Sequence, residues 1–467
     1  MEQMLPYYES ELGYLRRDLR EFAERYPRIA GRLLISGEVC EDPHTERMIE
    51  SFALLNARIA KRLDDDYPEF TEALFEVLYP HYLRPFPSCS IARMDFGGTA
   101  KQPGTSVIAR GTQLNTRAVR GGACTFRTVY PVTVAPLAIA RAAFSAVIDA
   151  PDAVRLPGTV SSSISLTLSC TAEQGTITQL AQLDLPLLRV FIDGEPSFCA
   201  ALRDALFMRS IAAYVEAGDS GRWTQLPAIP VLPAGFDEDE ALIDFPARSH
   251  AAYRLLTEYF CFPEKFNFFD IDLRALAAHA PPGARTLTLH LALSGLRADS
   301  NLARMLGTLS TNNVLLGCTP VINLFRQRGD PIRVTHLSAS YPVLADARRA
   351  FAYEIYAIES LNLVRQTPQG ESLVQFRPFY ALKHAQTPED AGHYYAVRRD
   401  AALADKSPGF ETQVSIVDID FDPAEVETDT LNIELTCTNR DLPSTLSYGQ
   451  QGGDLFLEGG SSVRTIS

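Results

Sequence analysis

The chain of 467 residues is long for a single core, and its length implies two to four domains. Hydrophobic residues make up 46% and charged residues 21%, an ordinary globular balance with ample material to bury. The net charge of −14 excludes the broad basic surface that nucleic-acid binding needs and disfavours adsorption to anionic lipid.

The first residues, MEQMLPYYESELGYLRRD, lack the charged-then-apolar order of a signal peptide. Tyr8, Leu12, Leu15, Leu19, Phe22 and Tyr26 fall at alternating spacings of four and three, which predicts one apolar stripe down a helix that Pro27 stops. Charged residues occupy the rest of that helix, so the stripe reads as the seam of a coiled coil or bundle. Asp42-Pro43 predicts the N-cap and first position of a second helix. Its stripe is Phe52, Leu55, Ile59 and Leu63, ending at Asp64-Asp65-Asp66. An acidic run at a helix C-terminus opposes the dipole and implies an arginine-bearing neighbour. Pro68 then predicts the start of a third helix carrying Phe70, Leu74 and Leu78.

After HYLRPFPS the texture changes to short, β-branched runs punctuated by Gly, Pro and Ser: SIARMDF, CTFRTVYPVTV, SSSISLTLSC and LPLLRVFIDG. EPSFCAALRDALFMRSIAAYV inserts one helix, and ARTLTLHLALSG alternates as a half-buried strand does. LLTEYFCFPEKFNFFDI holds six aromatic rings: Tyr259, Phe260, Phe262, Phe266, Phe268 and Phe269. Ser249 is the expected cap of a helix through Phe260, Pro263 its stop, and residues 266–273 a strand with Asp270 and Asp272 on one face. The rings therefore predict a helix-to-strand corner clamped by large buried side chains. No ligand is expected there, because the stretch shows no convergent polar groups.

The search for chemistry yields no catalytic, cofactor or metal residue. Gly218-Asp219-Ser220-Gly221 overlaps a serine-protease nucleophile motif, but the four residues also read as an ordinary turn. Asp418, Asp420 and Asp422 alternate and would share one strand face; that pattern lacks the glycine and carbonyl ligands of a calcium loop. The eight cysteines include no CxxC, and the eight histidines no HxH or HExxH. Neither a phosphate-binding GxxxxGK[ST] nor a GxGxxG is present. The longest uncharged run, 305–325, contains three asparagines and a proline and does not read as a membrane span. The chain reads as soluble and cytoplasmic.

The strings that resist a chemical reading carry a resemblance. YYESELGYLRRDLREFAERYPRIAGRL, DPHTERMIESFALLNARIAKRLDDDYPEFTEALFEVLYPHYLRPFPS, LLTEYFCFPEKFNFFDI, NNVLLGCTPVINLF and CTNRDLP resemble the TssF (ImpG/VasA) family. The match runs from Tyr7 to about Gly460 and is densest in the first 95 residues. The resemblance implies a structural subunit of the type VI secretion system baseplate, without cofactor or catalytic residues. Such subunits form wedges with TssG, TssK and TssE and further TssF copies around the VgrG spike hub, and prime tube and sheath assembly. It also implies a cytoplasmic location, docked at the inner-membrane secretion complex through the baseplate. Members of that family continue beyond GGDLFLEGGSSVRTIS, which implies that the C-terminal region is represented here in part.

The expected fold class is α+β: an N-terminal helical segment followed by β-rich, sandwich- or barrel-like domains resembling a phage baseplate wedge. The expected organisation is a helical segment over 1–85, a β-rich domain with an inserted helix over 86–245, a middle α+β region with the aromatic corner over 246–335, and a shortened β-rich region over 336–467. The competing classes are a hydrolase using Ser220, a metal enzyme using the 418–422 face, and a stand-alone ligand-binding β-sandwich with its pocket at the aromatic corner.

Overall fold

The computed structural model describes residues 4–37, 39–94, 105–171, 183, 185–247, 249–279, 281, 283–335, 338–367, 370–380, 392–418, 429–449, 453–457 and 462–465. Within these, side chains at 65–70, 366–367, 371, 401–402, 418 and 462–465 are left out of account. The chain divides into two compact units, Met1–Pro85 with Tyr380–Leu382, and Phe86–Phe379 with Lys383–Ser467.

The first unit is helical. Helix α1 (Leu5–Arg25) ends before Pro27, which opens the short α2 (Pro27–Arg32). A two-residue hairpin (Ile35–Ser36 with Val39–Cys40) leads into α3 (Pro43–Leu78). Asp42 caps α3 as the sequence predicts: its carboxylate accepts from the His44 N–H at 3.2 Å and from Thr45 Oγ1 at 2.7 Å. Those bonds, Thr45 first, hold the Asp42 carboxyl below its ordinary range. A small core of Ala30, Ile35 and Cys40 packs with Leu19, Phe22 and Ile49.

One expectation here is overturned. No third helix starts at Pro68, because α3 runs unbroken for 36 residues through that position. Proline removes one N–H and one rung of the ladder, and the rest of the helix carries on. Asp64 is therefore mid-helix, where the terminal dipole argument does not apply, and it accepts from Tyr7 Oη at 3.0 Å.

The second unit is rich in strands, so the chain is α+β with a helical segment followed by β architecture. Six described strands close a barrel: Cys89–Met94, Gln113–Thr116, Thr125–Thr128, Cys318–Ile322, Leu455–Leu457 and Ser462–Thr465. Two further sheets are built from β1 (Leu137–Ser145), β2 (Val160–Cys170), β3 (Leu187–Ile192), β4 (Ser210–Ala217), β5 (Trp223–Gln225), β6 (Val231–Pro233), β7 (Phe268–Asp272), β8 (Thr286–Ser294) and β9 (Val314–Leu316). The first has the order β5-β4-β8-β2-β1 and the second β6-β7-β3-β9, with antiparallel neighbours throughout.

Alternation explains how the two sheets meet. In β8, Leu287, Leu289, Leu291 and Leu293 enter one large core, while Thr288, His290 and Ala292 point to the other face. The same core receives Val190 and Ile192 of β3, Phe269 and Ile271 of β7, and Phe198 and Leu202 of helix α4 (Pro196–Asp204). A third sheet holds the strands Phe325–Arg328, Ile332–Val334, Tyr341–Pro342, Glu354–Thr367, Gly370–Pro378, His393–Arg399, Thr412–Asp418 and Asp429–Thr438 around a second core that includes Leu361, Leu363, Leu431, Ile433 and Leu435. Strand pairing crosses positions 245 and 335, since β7 pairs with β3 and Phe325–Arg328 pairs with Asp429–Thr438. Among the described residues, no helix is long and apolar enough to cross a membrane.

Candidate functional site

The helical unit presents the first candidate surface. Tyr8, Leu12, Leu15, Leu19 and Phe22 of α1 are half-buried, and small side chains make the close approach of α3, with Ala53 and Ala57 fully buried. Phe52 of the large apolar stripe of α3 lines an apolar groove with Leu15, Leu19 and Phe22, yet the stripe stays largely exposed. Phe52, Leu55, Ile59 and Leu63 are 57%, 54%, 59% and 65% exposed, and Met48 extends the row by one turn. An isolated soluble helix pair would turn such a row inward. Here Ala53 and Ala57 are the fully buried positions, and the large side chains of the stripe stay exposed.

The aromatic corner is the second. Helix α5 (Ala251–Cys261) is followed by a 3-10 turn over Pro263–Phe266, and β7 begins at Phe268. The cap is not Ser249 but His250, whose Nδ1 accepts from the Ala252 N–H at 3.1 Å. Phe262, Phe266, Phe268 and Phe269 are buried, whereas Tyr259 and Phe260 are exposed, so four of the six rings form the packed corner. Phe268 is packed edge-on against Tyr130 at 5.1 Å and lies 4.8 Å from Phe191.

The corner also holds what the sequence hides, a buried ionic network. Lys265 is fully enclosed and its Nζ donates to Glu258, itself 1% exposed. The other oxygen of Glu258 accepts from the Leu242 N–H at 2.8 Å. Arg254, one turn earlier, lies 3.7 Å from Glu258 and donates to the carbonyls of Phe236 (2.7 Å) and Asp237 (3.0 Å). Across the sheet, Arg189 stands opposite Asp270 in register and grips it through two bonds of 2.9 and 2.7 Å. Its guanidinium also reaches Glu240 at 2.5 Å and lies over the Tyr130 ring at 4.6 Å.

Burial works against the Arg189 charge, but Asp270 and Glu240 outweigh it and raise its pKa. Burial likewise lowers the pKa of the Lys265 ammonium, against the opposing pull of Glu258. The Tyr130 phenol is pushed well above its ordinary value by burial and then by Glu240, and its hydroxyl donates to the Lys265 carbonyl at 3.0 Å. Each of the three basic groups, Arg189, Arg254 and Lys265, is matched by a carboxylate of the protein, so the cluster acts as a clamp on the corner.

The chemical candidates separate clearly. Ser220 sits in an exposed turn between Gly218 and Gly221, both at positive φ, and its Oγ accepts from the Arg222 N–H at 3.3 Å. The Gly221 N–H donates to Glu216 Oε1 at 2.6 Å, so the turn serves to fix Glu216. A hydrogen-bonded row that the sequence did not signal lies beside it. His290 Nδ1 is 2.8 Å from Ser165 Oγ, and His290 Nε2 is 3.0 Å from Glu216 Oε2. Trp223 stacks on the imidazole at 3.8 Å, and burial lowers the His290 pKa despite Glu216.

The row has the residue types of a hydrolytic triad without its surroundings. Ser165 lies in β2, between β1 and β8, so the backbone donors beside it are engaged by ladders on both sides and offer no oxyanion hole. Its members come from three strands far apart in sequence, and only the alternation of β8 hinted that His290 faces away from the leucines. Of the acidic face, residues 419–428, with Asp420 and Asp422, lie outside the described residues, as does the side chain of Asp418. Among the described residues, no cluster of three or more His, Cys, Asp or Glu is arranged to hold a metal.

With this geometry in hand, comparison with known proteins is informative. A sequence model of the family described as "Type VI secretion system, TssF" matches residues 1–467. The chain is 32% identical over 481 residues to the type VI secretion system component TssF1 of Pseudomonas aeruginosa, covering 99% of this chain and 75% of that protein. Among solved structures, a chain of the TssK-TssF-TssG baseplate subcomplex of the type VI secretion system, seen by cryo-electron microscopy, has the same fold. It superposes with a TM-score of 0.67 at 24% identity, over 90% of this chain and 73% of that chain.

Proposed function

Because the chain belongs to the TssF family of the type VI secretion system, we propose that it is a structural subunit of that system's baseplate, working by geometry and without turnover. The observation that carries this reading is the open stripe of Met48, Phe52, Leu55, Ile59 and Leu63 on α3. Large apolar side chains at helical spacing on an exposed face are completed by a partner's helices, in the manner of a bundle.

The partners are TssG and TssK, the proteins found with the structural relative in its subcomplex. TssE, the VgrG hub and further TssF copies complete a wedge that primes tube and sheath assembly, as the family resemblance implies. The subunit works in the cytoplasm and docks at the inner-membrane secretion complex through the baseplate. Its contacts either persist or exchange when the sheath contracts, which is a choice between packed states biased by the neighbours.

The test is a triple variant, Phe52→Asp with Leu55→Asp and Ile59→Asp. These positions are exposed, so the chain's own stability should stay within about 0.5 kcal/mol per site of wild type. Co-purification with TssG and TssK should be lost. A normal yield of complex from this variant would show that the α3 stripe is not a seam.

A further inference from the structure

Helix α5 is built inside out. Its two charged residues, Arg254 and Glu258, are buried, while the residues it exposes are Ala251, Ala252, Tyr253, Leu256, Tyr259, Phe260 and Cys261, none of them charged. Tyr253, Leu256 and Phe260 follow one another at spacings of three and four and are 57%, 55% and 79% exposed. Phe236 widens the surface. It is exposed, and its ring lies 5.1 Å from that of buried Phe266, which Tyr259 approaches at 5.9 Å. Phe236 and Tyr259 thus flank one buried ring and join the stripe into one patch.

The helix cannot roll to hide this patch. Rotation would pull Glu258 from Lys265 and from the Leu242 N–H, and Arg254 from the two carbonyls it serves, leaving a fully enclosed ammonium without its counter-charge. The ionic clamp therefore presents the rings in a fixed arrangement, which lowers the ordering cost of binding. A rigid, aromatic-rich and uncharged face of this kind is the composition of an interface centre.

Charge at the edges selects the occupant. Asp237, Glu238 and Asp239 follow Phe236 and are exposed, and Glu264 follows the helix after Pro263. The basic groups Arg189, Arg254 and Lys265 are spent on internal partners, and Arg203 donates to the Phe266 carbonyl at 3.3 Å. A second copy of this chain would bring one acidic edge against another, and an anionic bilayer would be repelled. We propose that the exposed face of α5, together with Phe236, docks an amphipathic helix of a different protein of the assembly, whose apolar stripe is flanked by arginine or lysine. This inference rests on the reading of the chain as an assembly subunit, but uses a surface separate from the α3 stripe.

Cys261 is the reporter. It is exposed at the end of the patch, whereas the other cysteines are buried or, for Cys89, half-buried with its thiol pushed far up by burial. N-ethylmaleimide labelling of Cys261, followed by mass spectrometry, should slow at least tenfold when the full chain is assembled with TssG and TssK. Glu238→Lys with Asp239→Lys should weaken assembly about tenfold and flatten its salt dependence. Phe260→Ser, at a solvent-facing position, should restore labelling while leaving the melting temperature of the free chain unchanged. Assembly with Cys261 still freely labelled overturns this inference alone, and failure of the wild-type chain to assemble overturns the baseplate reading with it. Protection that appears on concentrating the chain alone would assign the face to a second copy. Protection by phosphatidylcholine–phosphatidylglycerol vesicles would assign it to membrane, and either result overturns the proposal.

Discussion

Glu258 and Lys265 meet as an ion pair with their side chains 1% and 0% exposed, one on α5 and the other on the turn that follows it. Removing Lys265 leaves Glu258, in a medium that cannot solvate it, with only the Leu242 N–H and the more distant Arg254. Lys265→Met should therefore cost about 3–5 kcal/mol of stability, read by chemical denaturation. Glu258→Gln with Lys265→Met should cost clearly less than the two single changes added together, because the ammonium and the carboxylate leave together and Arg254 keeps its two carbonyl acceptors. A double variant whose loss equals that sum would show that the residues act independently.

Why the corner was only half legible follows from the same pair. Tyr259 to Phe269 announce a ring-rich corner in sequence, and the proline stop at 263 is local. The clamp behind it draws on Tyr130, Arg189, Glu240 and Asp270, which nothing in the spacing brings together. Local signals were similarly good for α1, for the Asp42 cap and for the alternation of β8. They misled where a local rule met tertiary context. Pro68 lies within α3, and His250 and not Ser249 caps α5. The orientation of α3 was not written in its spacing at all: Phe52, Leu55 and Ile59 are exposed while Ala53 and Ala57 are fully buried. A helical period tells which residues share a face, but not which face the fold buries.

Gly235 has φ of +100°, and a Cβ there would lie 2.8 Å from Tyr130 Oη and 3.1 Å from the Lys265 carbonyl oxygen. Gly235→Ala should destabilise the chain by about 1–3 kcal/mol, from backbone strain and from displacement of the Tyr130 hydrogen bond. A melting temperature equal to wild type would mean that the loop relaxes without disturbing the clamp.

His290 should give the fold an acid-side sensitivity. Burial, acting against Glu216, lowers its pKa below the ordinary value of 6.5, so the unfolded chain takes up the proton first. The associated stability is complete above about pH 6.5 and declines as pH falls below it. In His290→Gln, the fall in melting temperature between pH 7 and pH 5 should be shallower than in wild type. Parallel curves for the two proteins would contradict this.

Ser220 and Ser165 test the hydrolase alternative. Ser220→Ala removes one turn hydrogen bond, and stability and assembly should stay within about 0.5 kcal/mol of wild type. Neither serine should react with a fluorophosphonate probe on the folded chain. Stoichiometric labelling of either, abolished by the matching alanine, would restore a catalytic reading.

The barrel sets a timetable for the newborn chain. Met94 pairs with Val463, and Thr116 with Leu455, so early strands wait for partners near the other end of the sequence. At about 5–20 residues per second, a ribosome needs on the order of 20–70 s to supply the roughly 370 residues between Met94 and Val463. Throughout that interval one edge of Cys89–Met94 has no native neighbour and is open to mispairing. The helices of the first unit, whose contacts are short-range, can form while the barrel is still incomplete. The exposed row of large side chains on α3 is thus displayed before the barrel has closed.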